Sequence, residues 1–455
     1  MKAQAPAFDL EVQTLIIGAG AAGLTAALAA KEAGEEVLVI EADPVPSGST
    51  ALSAGLIPAV TRFQTAAGIE DTAERFAADI QKKAKNQNDP ALVAAMAATS
   101  GNVIEWLADR HGLPFSVVTN FDYPGHSRRR MHGLPSRSGR ELIDRLRSAA
   151  EAQGIDIVTN RRAESLFTAG NRALGIAAHG PERLETIGCA RLILACNGYG
   201  GNRGLVARHM PEIEGALWFG HPGNQGEAIT WAEEHGLATS HLGAYQGHGN
   251  VAHPHGILIS WAVIMEGGVQ VNLRGERFWD ESQGYSEAAR TVLAQPEGVA
   301  WAIFDARIAA IARQFEDFKQ AESQGAIRMA QTISELSEVT GLPAEALTET
   351  LAAIPQGGKD AFGRHFGSHG LEAPFVAVKV TGALFHTQGG LVIDPATARV
   401  RRISGELMEN LYAVGGAACG VSGAGDSGYL SGNGLLSAFS LGWIAGNAPH
   451  TVLSY

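Results

Sequence analysis

A mostly apolar run from Thr14 to Ile17 stops at Gly18, Gly20 and Gly23, and an alanine-rich stretch continues from there to Gly34. An unbroken apolar run suits a parallel strand buried on both faces, and the alanine stretch predicts a helix over 21–33 packed closely upon it. Val37-Leu38-Val39-Ile40 repeats the strand pattern. Helical periodicity with capping residues follows over 69–85 and 90–111, with Asp71 and Asn88 or Asp89 at the starts and Gly112 past an end. Short strands are predicted over 154–178, with a turn at Ala169-Gly170-Asn171, and a buried strand over 191–195. From 238 to 372 the pattern changes: aromatic and polar residues mix, and helices are predicted over 301–315 and 344–353. From Phe375 short strands return, leading to the glycine-dense stretch 415–434 and a helix reaching Gly446. The expected fold is α/β, a discontinuous Rossmann-like domain (1–237 and 373–455) with an inserted α+β capping domain (238–372).

The glycines carry the first chemistry. Gly18 permits a tight turn, Gly20 lets backbone amides approach a pyrophosphate, and Gly23, after Ala22, allows helix and strand to pack closely. Glu41 closes the second strand roughly twenty residues on, where an acid accepts from a ribose hydroxyl. Strand, helix, strand and acid in register predict a dinucleotide site.

Composition narrows the partners. The 455 residues are 45% hydrophobic and 18% charged, which suits two or three globular domains, and the formal charge of −12 disfavours nucleic acid or an anionic membrane. Cys189, Cys196 and Cys419 have no paired spacing, so a disulfide framework, a metal knuckle and covalent haem are not expected. The first eleven residues lack a targeting pattern and no uninterrupted apolar run reaches membrane length, so a soluble, cytoplasmic protein is expected. The 56 glycines suit loops wrapping a large rigid ligand.

After Glu41 comes Pro44-Val45-Pro46-Ser47-Gly48-Ser49-Thr50, running on to Gly55. Glycine fingerprint, acid and a Gly-Ser-Thr-x-x-x-x-Gly segment resemble the FAD-dependent succinate dehydrogenase and fumarate reductase flavoprotein superfamily, which includes the 3-ketosteroid dehydrogenases. The resemblance implies FAD as cofactor. Relatives with covalent FAD carry a histidine where this chain has Ser49, so non-covalent FAD is expected. It also implies cofactor contacts at Thr50, Gly55 and Ala163, at Asn197-Gly198, where relatives have Thr-Gly after a strand, at Gly415, and at the helix start Gly432, Gly434, Leu435 and Leu436. Asn224-Gln225-Gly226-Glu227 resembles a family Gly-Asp-Gly turn.

The basic stretch 123–140 holds Arg128, Arg129, Arg130, His132, Arg137 and Arg140. A charge run of this kind is read as a solvated face, the alternative being an anion-attracting rim of the active site, with His132 the member to test. His248, His253 and His255 crowd one stretch without a completing ligand set, so no metal is expected; a His-Pro near this place flanks substrate in fumarate reductases, which keeps His253 as a candidate contact.

Gly275-Glu276-Arg277-Phe278-Trp279-Asp280-Glu281 resembles the family's clamp motif. Shortly after it, where fumarate reductases place a proton-donating arginine, this chain has Tyr285, as ketosteroid dehydrogenases do. Fumarate reductases have a carboxylate-binding arginine where Tyr429 stands, whereas Gly428-Tyr429-Leu430-Ser431-Gly432 resembles the Δ4-type ketosteroid dehydrogenases. His386-Thr387-Gln388-Gly389-Gly390 resembles the His-Thr-x-Gly-Gly whose histidine binds a substrate carboxylate. The expected activity is α,β-dehydrogenation of a ketone, a keto acid or 3-ketosteroid. Tyr429 is the ketone donor, Tyr285 the base, with Ser431 as a relay, and His386 the anion partner. The alternative is a fumarate-reductase-like enoate reductase running in the opposite direction. No second dinucleotide fingerprint, haem or iron–sulfur spacing identifies the electron acceptor.

Overall fold

The computed structural model describes residues 7–119 and 122–449, so residues 1–6 of the segment scanned for targeting signals lie outside it. Contacts divide the chain into two compact units. The first comprises Met1–His209, Gly220–Tyr245 and His386–Tyr455; the second comprises Met210–Phe219 and Gln246–Phe385. Relative to the expected division, 238–245 fall in the first unit, and 210–219 and 373–385 in the second. The last of these shifts has a simple cause: the strand Phe375–Thr387 pairs antiparallel with Val299–Asp305 from Asp305↔Phe375 to Val299↔Thr381.

In the first unit, Leu10–Ile17 lies between Val37–Ile40 and Leu184–Leu194, parallel to both, and Asp156–Val158 extends one side. Leu407–Ala413 joins parallel on the other side, and an antiparallel pair, Arg162–Ala169 with Arg172–His179, attaches to Leu184–Leu194. Leu15, Ile16, Leu192, Ile193 and Leu194 are fully buried, as a parallel sheet covered on both faces requires. The helix Ala21–Glu32 follows the first strand and buries ten of its residues. Against it runs Asn433–Asn447, where a β-carbon at Gly442 would sit 2.6 Å from the Ala22 carbonyl oxygen and one at Gly446 only 2.5 Å from the Ala29 β-carbon. Glycine at these two places brings the helices together along a seam of small residues. Their sense is parallel, since Gly442 meets Ala22 and Gly446 meets Ala29.

The helices Ala73–Lys83 and Pro90–His111 are capped by Thr72 and Asp89, and Gly112 ends the second in the left-handed conformation. By length and composition Pro90–His111 could cross a membrane, although Thr99, Ser100, Asn102 and Glu105 interrupt its apolar run; half of its most apolar window is buried within the protein.

The second unit is built on a sheet in which Phe375–Thr387 pairs with Val299–Asp305, Ile327–Ala330 and Leu217–Trp218. The helix expected over 301–315 is corrected here. Val299–Asp305 is a wholly buried strand, and only Ala306–Ala312 is helical, with the Asp305 carboxylate accepting from Ile308 N–H. The run Val299-Ala-Trp-Ala-Ile-Phe304 is apolar at every position, so periodicity alone cannot distinguish a buried strand from a buried helix. The clamp motif is tied by charge: buried Glu281 accepts from Arg277 and Arg364, and Arg277 also reaches Asp360.

Candidate functional site

The first unit provides a cofactor cradle. Gly18 takes φ +104°, a turn that side chains avoid, and a β-carbon at Gly23 would collide with the Gly18 carbonyl. At Gly20, among the described residues, a β-carbon would meet only Thr50 Oγ1 at 3.6 Å. Gly20 caps that helix without a side-chain bond, which leaves an anion-ready terminus. Thr50 Oγ1 accepts from Ala21 N–H (3.0 Å), and Glu41 accepts from Ala19 and Asp43 N–H (2.8 and 2.9 Å), which directs its carboxylate along the fingerprint loop. Ser49 Oγ accepts from Asn197 Nδ2 (2.8 Å) and Asn224 Nδ2 (3.0 Å), a clasp in which both asparagines that replace family residues take part. Gly55 abuts the Ser138 carbonyl, Gly198 the Thr387 hydroxyl, and Gly415 the side chain of Ala22. Ala163 is a buried strand residue opposite Ala178.

Gly432 caps the helix Asn433–Asn447 with φ +88° and no side-chain bond, and Asn433 N–H donates to the Leu430 carbonyl. Leu436 N–H is used inside the helix by the Gly432 carbonyl. Asn433 Oδ1 and Ser437 Oγ are buried there with no hydrogen-bond partner among the described residues. Unmatched polar atoms at the start of a helix fit the polar edge of a flavin ring, which both donates and accepts. These residues would hold FAD.

Tyr429 is buried in the same loop; burial pushes its hydroxyl up to about 12, opposed by the Gly434 and Gly432 backbone. The His386 ring packs edge-on against it at 5.4 Å and 72°, and a β-carbon at Gly434 would come within 3.1 Å of His386 Cε1 and Nε2. Burial lowers the His386 pKa to about 4, so the ring is neutral near pH 7. Ser431 is buried, and its carbonyl accepts from His126 Nε2 (2.9 Å).

The second unit presents an aromatic stack. His248 lies 5.1 Å from Tyr285 and 5.5 Å from Phe385 with rings nearly parallel, Phe219 continues the stack on Phe385 at 4.9 Å, and Trp261 closes the edge of His248. Burial drives the His248 pKa down to about 3. His248 is the residue that sequence reasoning undervalued, because it was grouped with His253 and His255 as a metal question. His253 is exposed, whereas His248 lies within the strand Tyr245–Ala252, and that strand context was the available signal. Among the described residues no group of three or more His, Cys, Asp or Glu could hold a metal ion.

The basic stretch needs correction. Arg128 and Arg129 are exposed, but Arg130 is fully buried, bonded to Asp71 and Asp79 and reaching His126 Nδ1 (3.1 Å). His132 is also fully buried, held between Thr61 Oγ1 (2.7 Å) and the Arg130 carbonyl (2.9 Å), with its pKa lowered to about 4 by burial. These are internal struts, because three carboxylate bonds and a histidine satisfy a guanidinium that water cannot reach.

Residues 13–435 match the family described as FAD binding domain. A probable fumarate reductase of Shewanella frigidimarina is 33% identical over 450 residues, covering 96% of this chain and 74% of the relative. A 4-oxocyclohexanecarboxylate 2-dehydrogenase of Sinomonas cyclohexanicum is 25% identical, covering 95% of this chain and 92% of the relative. The open conformation of a flavocytochrome c3 fumarate reductase superposes with TM-score 0.82 at 31% identity, over 97% of this chain and 78% of that one. A 3-ketosteroid-Δ4-(5α)-dehydrogenase of Rhodococcus jostii superposes with TM-score 0.79 at 25% identity, over 98% of both chains. With the glycine cradle and these matches together, the chain belongs to the FAD-binding-domain family, within the succinate dehydrogenase and fumarate reductase flavoprotein superfamily.

Proposed function

We propose that the protein is an FAD-dependent oxidoreductase acting on CH–CH bonds, and that it desaturates a small cyclic keto acid or related ketone between the carbons α and β to the carbonyl. The observation that carries this reading is the buried Tyr429, flanked by His386, at the start of the helix Asn433–Asn447. An α-C–H is too weakly acidic for an unassisted side-chain base, so a donor must meet the enolate as it forms. Tyr429 is that donor, with its oxygen supported by the Gly432–Gly434 backbone. Tyr285 takes the α-proton, and His386 donates to a second oxygen of the substrate. Bound FAD supplies the two-electron acceptor for the hydrogen that leaves the β-carbon with its electron pair. The α-C–H pair becomes the new C=C bond, so one proton and one hydride balance the step. The flavin is held without a covalent bond from Ser49. The setting is the cytoplasm, and no electron acceptor is assigned.

A second reading is favoured by identity: the probable fumarate reductase is closer in sequence than the ketone dehydrogenases. An enoate reductase would use Tyr285 as acid. Against a C4-dicarboxylate stands charge, because Arg130, Arg191, Arg277 and Arg364 are buried but committed to carboxylates within the fold. Anaerobic mixing with 4-oxocyclohexanecarboxylate, uncharged cyclic ketones, a 3-ketosteroid and succinate tests the choice through loss of oxidised-flavin absorbance. Bleaching by ketones supports desaturation. Bleaching by succinate alone, or reoxidation of the reduced enzyme by fumarate and by no enone, overturns it.

A further inference from the structure

His386 stands at the end of a buried hydrogen-bond chain that starts on the helix Asn433–Asn447. Asn433 Nδ2 donates to Ser422 Oγ (2.9 Å), Ser422 Oγ donates to Gln388 Oε1 (2.7 Å), and Gln388 Nε2 meets His386 Nδ1 (3.0 Å). All three relay residues are buried, and the Gln388 backbone is pinned by bonds to Ala244 and Gly420. A hydroxyl that accepts from one neighbour and donates to the next has a direction, which the following group inherits. We infer that Gln388 is a positioning residue: its amide N–H, aimed by Ser422 and Asn433, keeps His386 Nδ1 an acceptor, so the neutral ring carries its proton on Nε2 and offers substrate oxygen a hydrogen-bond donor. The inference rests on the reading that places His386 at the substrate.

The opposite direction would turn the Gln388 amide over, so that Oε1 accepts from Nδ1–H and Nε2 donates to Ser422 Oγ. The Thr387 carbonyl opposes it: Gln388 Nε2 lies 3.4 Å from that oxygen, and reversal would set oxygen against oxygen there. His386 Nδ1 is 3.3 Å from the same Thr387 carbonyl, a contact that alone would favour a proton on Nδ1, but it is longer than the Gln388 bond. A neutral donor, unlike an imidazolium, serves a carbonyl and a carboxylate on similar terms. Activity towards keto acids and uncharged ketones is then compatible with one residue.

The test is nitrogen NMR of 15N-histidine-labelled, FAD-loaded protein, with His386→Asn assigning the resonance. Expected is a proton on Nε2 and a bare Nδ1. A proton on Nδ1, or a fast mixture of tautomers, overturns the inference. Gln388→Glu places a carboxylate at Nδ1 and should move the proton onto that nitrogen; Ser422→Ala, further from the ring, should leave a tautomer mixture. An unchanged wild-type pattern in both variants removes the role given to the relay. No substrate enters this measurement, so its failure leaves the ketone reading standing, and failure of the bleaching panel leaves the tautomer standing. With a bleaching ketone in hand, Gln388→Met should slow flavin reduction about ten- to a hundredfold, as loss of a residue that orients a histidine commonly does, with the flavin spectrum native. An unchanged rate counts against it.

Discussion

Arg130→Met separates a structural strut from an anion-attracting rim. The guanidinium forks Asp71 at 2.8 and 3.1 Å, bonds Asp79, and lies 4.8 Å over the Phe76 ring. Methionine keeps much of the stem and its contact with Phe76 but leaves two carboxylates in the core without their cation. Breaking a buried pair from one side costs about 3–5 kcal/mol. The exposed Arg129–Asp122 pair is screened by water and contributes little, so Arg129→Met is the matched control. Urea unfolding of the FAD-loaded proteins, followed by far-UV ellipticity and by flavin fluorescence, should show a large drop in midpoint for the first variant and almost none for the second. The pH dependence has a sign. Burial alone would raise the Asp79 pKa, but bonds from Ser127 and Arg130 outweigh it, so the folded value lies below the ordinary one. Its stabilisation is therefore present above about pH 4 and lost as pH falls through the lower folded value. Without Arg130 only the Ser127 bonds oppose burial, so that carboxyl protonates at higher pH than in the wild type and the deficit of the variant should shrink in acid. Equal midpoints for the two variants, or a deficit independent of pH, would refute the strut.

Glu41→Ala should weaken FAD retention by about 1.5–3 kcal/mol through loss of a charged acceptor, read as an increased dissociation constant on flavin titration; unchanged affinity would show the acid to be misassigned. Gly434→Ala sets a methyl against His386 Cε1 and Nε2, so substrate-driven flavin reduction should slow while flavin binding is less affected, and normal kinetics would mean that the ring yields freely. Tyr285→Phe should lower kcat about 10²–10⁴-fold with substrate binding nearly kept. Tyr429→Phe should lower kcat about 10²–10³-fold and also weaken binding of a phenolate that mimics the enolate, a split that the two roles require.

The glycine turn was legible because glycine spacing is backbone chemistry: Gly18 takes the positive φ, Gly23 lets helix and strand pack closely, and Glu41 bonds back to Ala19. The basic run was misread because sequence shows charge without depth; Asp71 and Asp79, a whole helix earlier, are what allow Arg130 to be buried. His248 was hidden for a related reason, since its stacking partners Tyr285 and Phe385 are distant in the chain. The strand Val299–Asp305 looked helical because a segment buried on every side carries no period. Gln388 drew no attention as the variable letter of a motif, and only its three-residue relay gives it a role.

The glycine seam between Ala21–Glu32 and Asn433–Asn447 works as a gauge. Ala22 is the second residue of its helix and Gly442 the tenth of the other, so the N-terminal ends are staggered by roughly eight residues, or about 12 Å at about 1.5 Å each. On the proposed reading one end would meet phosphate and the other the flavin ring, and the seam sets the stagger of the two ends. A slip of one residue along it would move one terminus about 1.5 Å past the other, well beyond the few tenths of an ångström that hydrogen-bond lengths tolerate. A methyl at Gly446, buried among Ala26, Ala29 and Ala30, should therefore register first as loosened flavin, making the alanines and glycines of the seam part of the cofactor specificity of the protein.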